Sequence, residues 1–158
     1  MAKNWIYRST KVLTKDSVIF DIDGVLADAS SRQHFLRNSK PDWESFFDAC
    51  HEDPLITETA RLLEVIDPKF NVILMTGRPI SVQAKTVEWL ERFSLRWDLL
   101  IMRTDGDYSA ARKFKQSETS ILLKDGYHVA LAFEDDQRNV EMFQQLGVPC
   151  VYLHSGYY

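Results

Sequence analysis

The chain has 158 residues, 45% of them apolar and 27% charged, the size and composition of one globular domain with a buried core. Its formal net charge of -4 argues against a protein that coats nucleic acid non-specifically, a task that draws on many phosphate-neutralising Lys and Arg, and leaves open only a local basic groove. The opening string MAKNWIYRSTKVLTK holds no apolar stretch of signal-peptide length and no later run could span a membrane, so a cytoplasmic location is expected.

The first predicted strand is 18–22 (VIFDI), and it runs into the string DIDGVLAD. Asp21 and Asp23 stand two residues apart, so an extended chain turns both carboxylates to one side at the strand's C-terminal end. Like charges that close repel unless a cation neutralises them or one of them holds a proton. Gly24 permits the sharp turn that takes the chain away from the pair. A DxDG string also suits a plain strand end or a piece of a calcium loop, but here VIF before it and VL after it give a buried strand context, and no glutamate stands at the loop's final position.

Residues 27–70 follow, with helical patterns at 31–37, 43–50 and 56–66. Only the last is needed to cross to the next strand. The surplus, 27–55, is expected to be a small cap-like helical insert over the mouth of the site, because ligands bind outside the carboxyl ends of parallel strands. Within it Trp43, Phe46 and Phe47 read either as a helix buried against the sheet or as rings that stack on a base.

The remaining elements alternate. Strand 72–76 (VILMT) leads into Gly77 and Arg78, and helix 81–93 carries an apolar stripe at Val82, Val87, Trp89, Leu90 and Phe93. Strand 99–102 (LLIM) ends at Arg103, and helix 110–123 contains Arg112, Lys113 and Lys115. Strand 129–133 (VALAF) is followed by Glu134, Asp135 and Asp136, then by helix 139–146, a Gly147 cap, and strand 149–153 (PCVYL). Repeated β-α order implies an α/β fold, a doubly wound Rossmann-like parallel sheet with helices on both faces, in a single domain spanning 1–158. Cys50 and Cys150 lie far apart and outside any metal spacing, and both are expected to be buried small hydrophobes.

Four of these strings, in this order, resemble the motifs of the haloacid dehalogenase superfamily of phosphotransferases. They are VIFDIDGVLAD, VILMTGRP, a lysine within ARKFKQSE, and ALAFEDDQRN. The resemblance implies that Asp21 is a nucleophile forming an aspartyl-phosphate and that Asp23 is the general acid and base. It also implies that Thr76 and the amides beside it, including that of Gly77, hold phosphoryl oxygens while Arg78 makes a paired, charge-assisted contact. Thr76 alone would read as a strand-end cap. The motif lysine is expected to be Lys115, with Lys113 as the alternative. Mg2+ is the implied cofactor, held by Asp21, the Asp23 carbonyl and Asp135, with Glu134 acting through water; Asp136 is either a further ligand or a helix N-cap.

Within that superfamily the C-terminal half resembles the 3'-phosphatase domain of bacteriophage-type polynucleotide kinase/phosphatase, through IMRTDGDYSAARKFK, ALAFEDDQRNVEMFQQLGVPC and HSGYY. In that family an Arg after the third strand and a Lys twelve residues later both serve phosphate binding, a separation that Arg103 and Lys115 share. The implied substrate is a 3'-phosphate on a nucleotide or nucleic-acid end, with no membrane and no obligate protein partner evident. The chain departs from the family at Ala111, where an acid is usual, and at Asp136, where an Arg is usual; the GxxxxGK[ST] loop of a kinase module is absent. Two other readings are a phosphatase of 5'-mononucleotides or another small metabolite, and a non-catalytic phosphoryl-binding relative. The filled catalytic positions disfavour the second.

Overall fold

Alternating apolar side chains along the strands build two packed layers on one sheet. The computed structural model describes residues 4–11 and 13–158; Met1, Ala2, Lys3 and Val12, all from the opening string, lie outside the described residues. Among the described residues the sheet has six strands: β1 (Trp5–Tyr7), β2 (Asp16–Phe20), β3 (Asn71–Pro79), β4 (Leu99–Arg103), β5 (His128–Glu134) and β6 (Cys150–Tyr152). Five α-helices accompany them: α1 (Trp43–Asp48), α2 (Thr57–Val65), α3 (Gln83–Arg92), α4 (Ala111–Lys124) and α5 (Gln137–Gln145).

The period of two shows in where the strand residues go. Val18, Phe20, Val72, Leu74, Leu100 and Met102 pack with Leu63 of α2 and with Trp89 and Leu90 of α3. Their neighbours Ile19, Ile73, Met75, Leu99 and Ile101 pack on the other face with Phe114 and Leu122 of α4 and with Met142 and Phe143 of α5.

The strand order is β1-β4-β3-β2-β5-β6. The chain leaves β2 for β3 and β4 on one side, then returns to the other side of β2 for β5 and β6, and all these pairings are parallel. The order therefore reverses at β2, and the crevice at the carboxyl ends of β2 and β5 is where such sheets bind ligands.

Several expectations need correction. The sheet is not wholly parallel: β1 runs antiparallel to β4 at the edge, and three residues without a long apolar run gave no strand signal. The first strand stops at Phe20 rather than at residue 22, while β3 runs on to Pro79 after a register shift between Met75 and Pro79. The pattern at 31–37 is a 3-10 helix, Ser30–Leu36.

The excursion after β2 is closed at its base. Ala27 bridges Leu55, the Asp28 amide donates to the Pro54 carbonyl at 2.8 Å, and the Ile56 amide donates to the Leu26 carbonyl at 2.8 Å. Trp89 fastens it to the core, donating from Nε1 to the Asp53 carbonyl at 2.8 Å while its ring is fully buried. Trp89→Ala should therefore cost about 3–5 kcal/mol, read as a fall in the urea midpoint. Val65→Ala, at an exposed position of α2, should stay within about 0.5 kcal/mol of the parent.

Candidate active site

At the reversal point the Asp21 amide donates to the Phe133 carbonyl at 3.1 Å, which brings Asp21 level with the end of β5. Glu134 closes that strand and Asp135 follows it. Carboxylate oxygens of Asp21, Glu134 and Asp135 lie within 4.8 Å of one another. Lys115 enters from α4, its Nζ 3.1 Å from Asp21 Oδ1 and 2.7 Å from Glu134 Oε2. Of the two lysines that the sequence admits, the structure brings only Lys115 to the acids: it is 2% exposed, whereas Lys113 faces outward.

One ammonium does not balance three buried carboxylates. Burial, and then the charge of Glu134, hold the Asp21 carboxyl well above the ordinary range despite Lys115. The same two causes push Asp135 up to about 7. Burial alone would raise Glu134 too, but the Lys115 charge together with hydrogen bonds to Asp21, Lys115 and Asp135 overcomes it and lowers that carboxyl. Among the described residues, both carboxylate oxygens of Asp135 are buried without a hydrogen-bond partner, a costly state that a cation relieves. Gly24 keeps room beside them: its φ is +81° and a Cβ there would sit 2.0 Å from Asp135 Oδ2. The donor set is all oxygen, as hard divalent cations such as magnesium require. Asp21, Glu134 and Asp135 thus fit a divalent cation.

Asp23 points elsewhere. Its Oδ1 accepts from Arg32 Nη2 at 2.6 Å and from Arg78 Nη2 at 2.6 Å, with Arg78 Nε at 3.1 Å. Burial alone would raise this carboxyl, but the charges of Arg78 and Arg32 and their hydrogen bonds overcome it and hold it at about 2. Asp53 completes the clamp, accepting from Arg32 Nε at 2.9 Å, from Arg32 Nη2 at 2.7 Å and from Arg78 Nη2 at 3.4 Å. Burial raises the Asp53 carboxyl even so.

Arg78 turns into this network. It is fully buried, with Nη1 on Thr86 Oγ1 and with Nε and Nη2 on Asp23 and Asp53, so its guanidinium is engaged by carboxylates in this structure. Arg32 and Asp53 were not expected as site residues. Arg32 lies in the 3-10 helix Ser30–Leu36 and Asp53 caps a second one, Ala49–Glu52, and no spacing in the sequence ties them to the DxD string.

Thr76 is fully buried and its hydroxyl accepts from the Arg78 amide at 3.2 Å, closing the turn after the apolar part of β3. Arg103 is half-buried at the rim, with Nη1 donating to the carbonyls of Asp107 at 3.3 Å and Ser109 at 2.6 Å. Its Nη2 lies beside Gly77, 3.6 Å from where a Cβ would stand. Asp136 takes the capping role: its side chain accepts from the Arg138 amide at 2.9 Å at the head of α5.

A mostly parallel Rossmann-like sheet with these acids and an inward lysine at its reversal point defines a phosphatase of the haloacid dehalogenase type. The chain belongs to the polynucleotide kinase PNKP phosphatase domain family, which it matches over residues 15–158. It is similar to a chain of the Pnkp1/Rnl/Hen1 complex at 25% identity and a TM-score of 0.70, over 95% of this chain and 50% of that one. A chain of the Pnkp1/Rnl/Hen1 RNA repair complex aligns at 24% identity and a TM-score of 0.72, over 100% and 48%. The class C acid phosphatase from Bacillus anthracis, solved with tungstate bound, shares the fold at 12% identity and a TM-score of 0.65, over 93% and 69%. The chain therefore spans about half the length of the chains it matches in the two complexes.

Two measurements probe this geometry. Gly24→Ala meets both a left-handed backbone and the Asp135 carboxylate, so phosphatase activity should fall about 100-fold. Gly126→Ala shares the positive φ but meets nothing within 4 Å and should keep its activity. The clamp predicts an acid limb of stability. Because Asp23 is depressed from 3.8 to about 2, its contribution is complete above pH 3.8 and is lost as pH falls through about 2. Arg32→Gln should move that loss to higher pH in urea titrations, and identical acid limbs would contradict the clamp.

Proposed function

We propose that this phosphatase is a Mg2+-dependent phosphomonoesterase that works through an aspartyl-phosphate on Asp21 and acts on 3'-phosphates of polynucleotide ends or nucleotides. The observation that carries the chemistry is one buried cluster in which Lys115 stands 3.1 Å from Asp21 and both carboxylate oxygens of Asp135 lack a hydrogen-bond partner. Family membership supports the polynucleotide substrate.

In this reading an Asp21 oxygen attacks phosphorus and the ester P–O bond breaks, the leaving oxygen taking a proton from Asp23. Water then attacks the acyl phosphate, Asp23 takes its proton, and inorganic phosphate leaves with Asp21 restored. Asp23 is ionised in the arrangement described, at about 2. A phosphate entering beside it adds negative charge, which raises its proton affinity when the leaving oxygen needs a proton. Lys115 and the Thr76 turn hold the phosphoryl oxygens, and Arg103 with Gly77 forms the rim that meets the nucleotide. Magnesium, held by Asp21, Asp135 and the Asp23 carbonyl with Glu134 through water, would supply the missing positive charge. Residues 27–55 would cover the mouth.

Asp21→Asn should lower hydrolysis of an aryl phosphate by roughly 10⁴-fold or more while the far-ultraviolet spectrum stays that of the parent. A panel of a 3'-phosphorylated oligonucleotide with 3'- and 5'-mononucleotides tests the substrate. Turnover of 5'-mononucleotides alone would replace the 3' reading with the small-metabolite one, and no turnover of any ester would leave a phosphoryl-binding relative.

A further inference from the structure

Residues 153–158 run along the rim of the acid cluster. The Leu153 amide donates to the Glu134 carbonyl at 2.9 Å, and Ser155 stands beside Gly24, its Cβ 3.1 Å from where a Gly24 Cβ would be. The Tyr157 hydroxyl donates to Asp28 Oδ1 at 3.3 Å. These contacts deliver Tyr158 to the head of α5, where Arg138 Cζ lies 5.4 Å from its ring centroid. Arg138 is itself fixed by Asp136, with Nε 3.0 Å from Oδ1 and Nη2 2.8 Å from Oδ2, and Asp136 directly follows the Asp135 of the cluster. The Tyr158 ring is 72% exposed, so the guanidinium backs it while much of its surface stays open.

A large aromatic ring held open to solvent at the mouth of a phosphate site has no packing role to explain it. Trp43, the exposed ring of the insert, differs in that it packs with Phe46 at 5.7 Å and Phe47 at 5.8 Å. Every base presents a π-face, and a ring stiffened by a guanidinium offers a surface of matching size.

We infer that Tyr158, held against Arg138, is the platform on which the nucleobase next to the scissile phosphate stacks, which makes it a specificity-determining residue. This rests on the reading that the substrate carries a nucleoside, and it does not depend on which hydroxyl bears the phosphate.

The test compares parent, Tyr158→Ala and Tyr158→Phe on adenosine 3'-monophosphate, adenosine 5'-monophosphate and glycerol 2-phosphate in the presence of Mg2+. For Tyr158→Ala the ratio of kcat/KM on the preferred nucleotide to that on glycerol 2-phosphate should fall about tenfold, through KM rather than kcat. Tyr158→Phe should restore it, because stacking uses the ring and not the hydroxyl. An unchanged ratio overturns the platform, as does a loss that Phe does not restore or one that falls on kcat. A parent that prefers the 5'-nucleotide defeats the 3' reading alone, and the platform stands if the alanine variant then loses that preference. A parent that turns over only glycerol 2-phosphate defeats both.

Discussion

Burying like charges at the carboxyl end of one sheet is the constraint around which this molecule is arranged. Asp21, Asp53, Glu134 and Asp135 are all buried and Asp23 is largely so, and each carboxylate left alone would cost several kcal/mol. The fold divides them by partner. Lys115 serves Asp21 and Glu134, while Arg32 and Arg78 serve Asp23 and Asp53. The first group is short of positive charge and the second is well supplied. As a result, Asp21 and Asp23 are pushed in opposite directions although they stand two residues apart. Separation of that kind is what lets two carboxylates take different chemical roles.

The division also gives the excursion after β2 a structural role at the acids. Arg32 and Asp53 both come from the excursion after β2, and together with Arg78 from β3 they fix the Asp23 side chain. Arg32 is locked further by its Nη1 on the Phe46 carbonyl at 3.1 Å and by the Phe46 ring, 4.4 Å from its Cζ. The aromatic helix that reads from sequence as either buried or stacking is therefore split: Phe46 supports the clamp, and Trp43 is the ring left 54% exposed. Ion pairs from Arg32 and Arg78 to Asp23 and Asp53 thus tie the excursion after β2 to β3.

Local periodicity made most of the fold legible. Five strands carry apolar runs, and the acids, the threonine and the basic rim stand at their C-terminal ends, where order along the chain alone locates them. Lys115 was separable from Lys113 only by helix geometry, since Phe114 and Lys115 turn inward together while Lys113 turns out. The clamp was not legible, because its members meet through tertiary contacts 9 to 55 positions apart in sequence, such as Arg32 with Asp23 and Asp23 with Arg78. The partner of Arg78 is hidden for the same reason: an Arg after a phosphate-type turn has two possible anionic partners, and the fold sets Asp23 against it. β1 escaped because its order comes from tertiary contacts, with Trp5 Nε1 at 2.6 Å and Asn4 Nδ2 at 3.0 Å from the Glu118 carboxylate.

The two departures from the family pattern are absorbed within the same electrostatic scheme. Ala111 removes an acid from the first turn of α4, yet Lys115 is not left with a single partner, because Glu134 reaches it. Glutamate has a longer stem than aspartate, and here one oxygen meets Lys115 at 2.7 Å while the other accepts from the amides of Asp135 at 3.2 Å and Asp136 at 3.4 Å. One side chain thus ties the lysine to the turn that carries Asp135. Replacing an Arg by Asp136 would add negative charge beside that turn, but the same carboxylate caps α5 and pairs with Arg138, so its charge is compensated one helical turn away from the cluster. The cationic character that the family places directly after the acids is thereby moved to Arg138, at the rim and against Tyr158. A shift of that kind leaves the acids around Asp21 intact and sets the compensating charge at the head of α5.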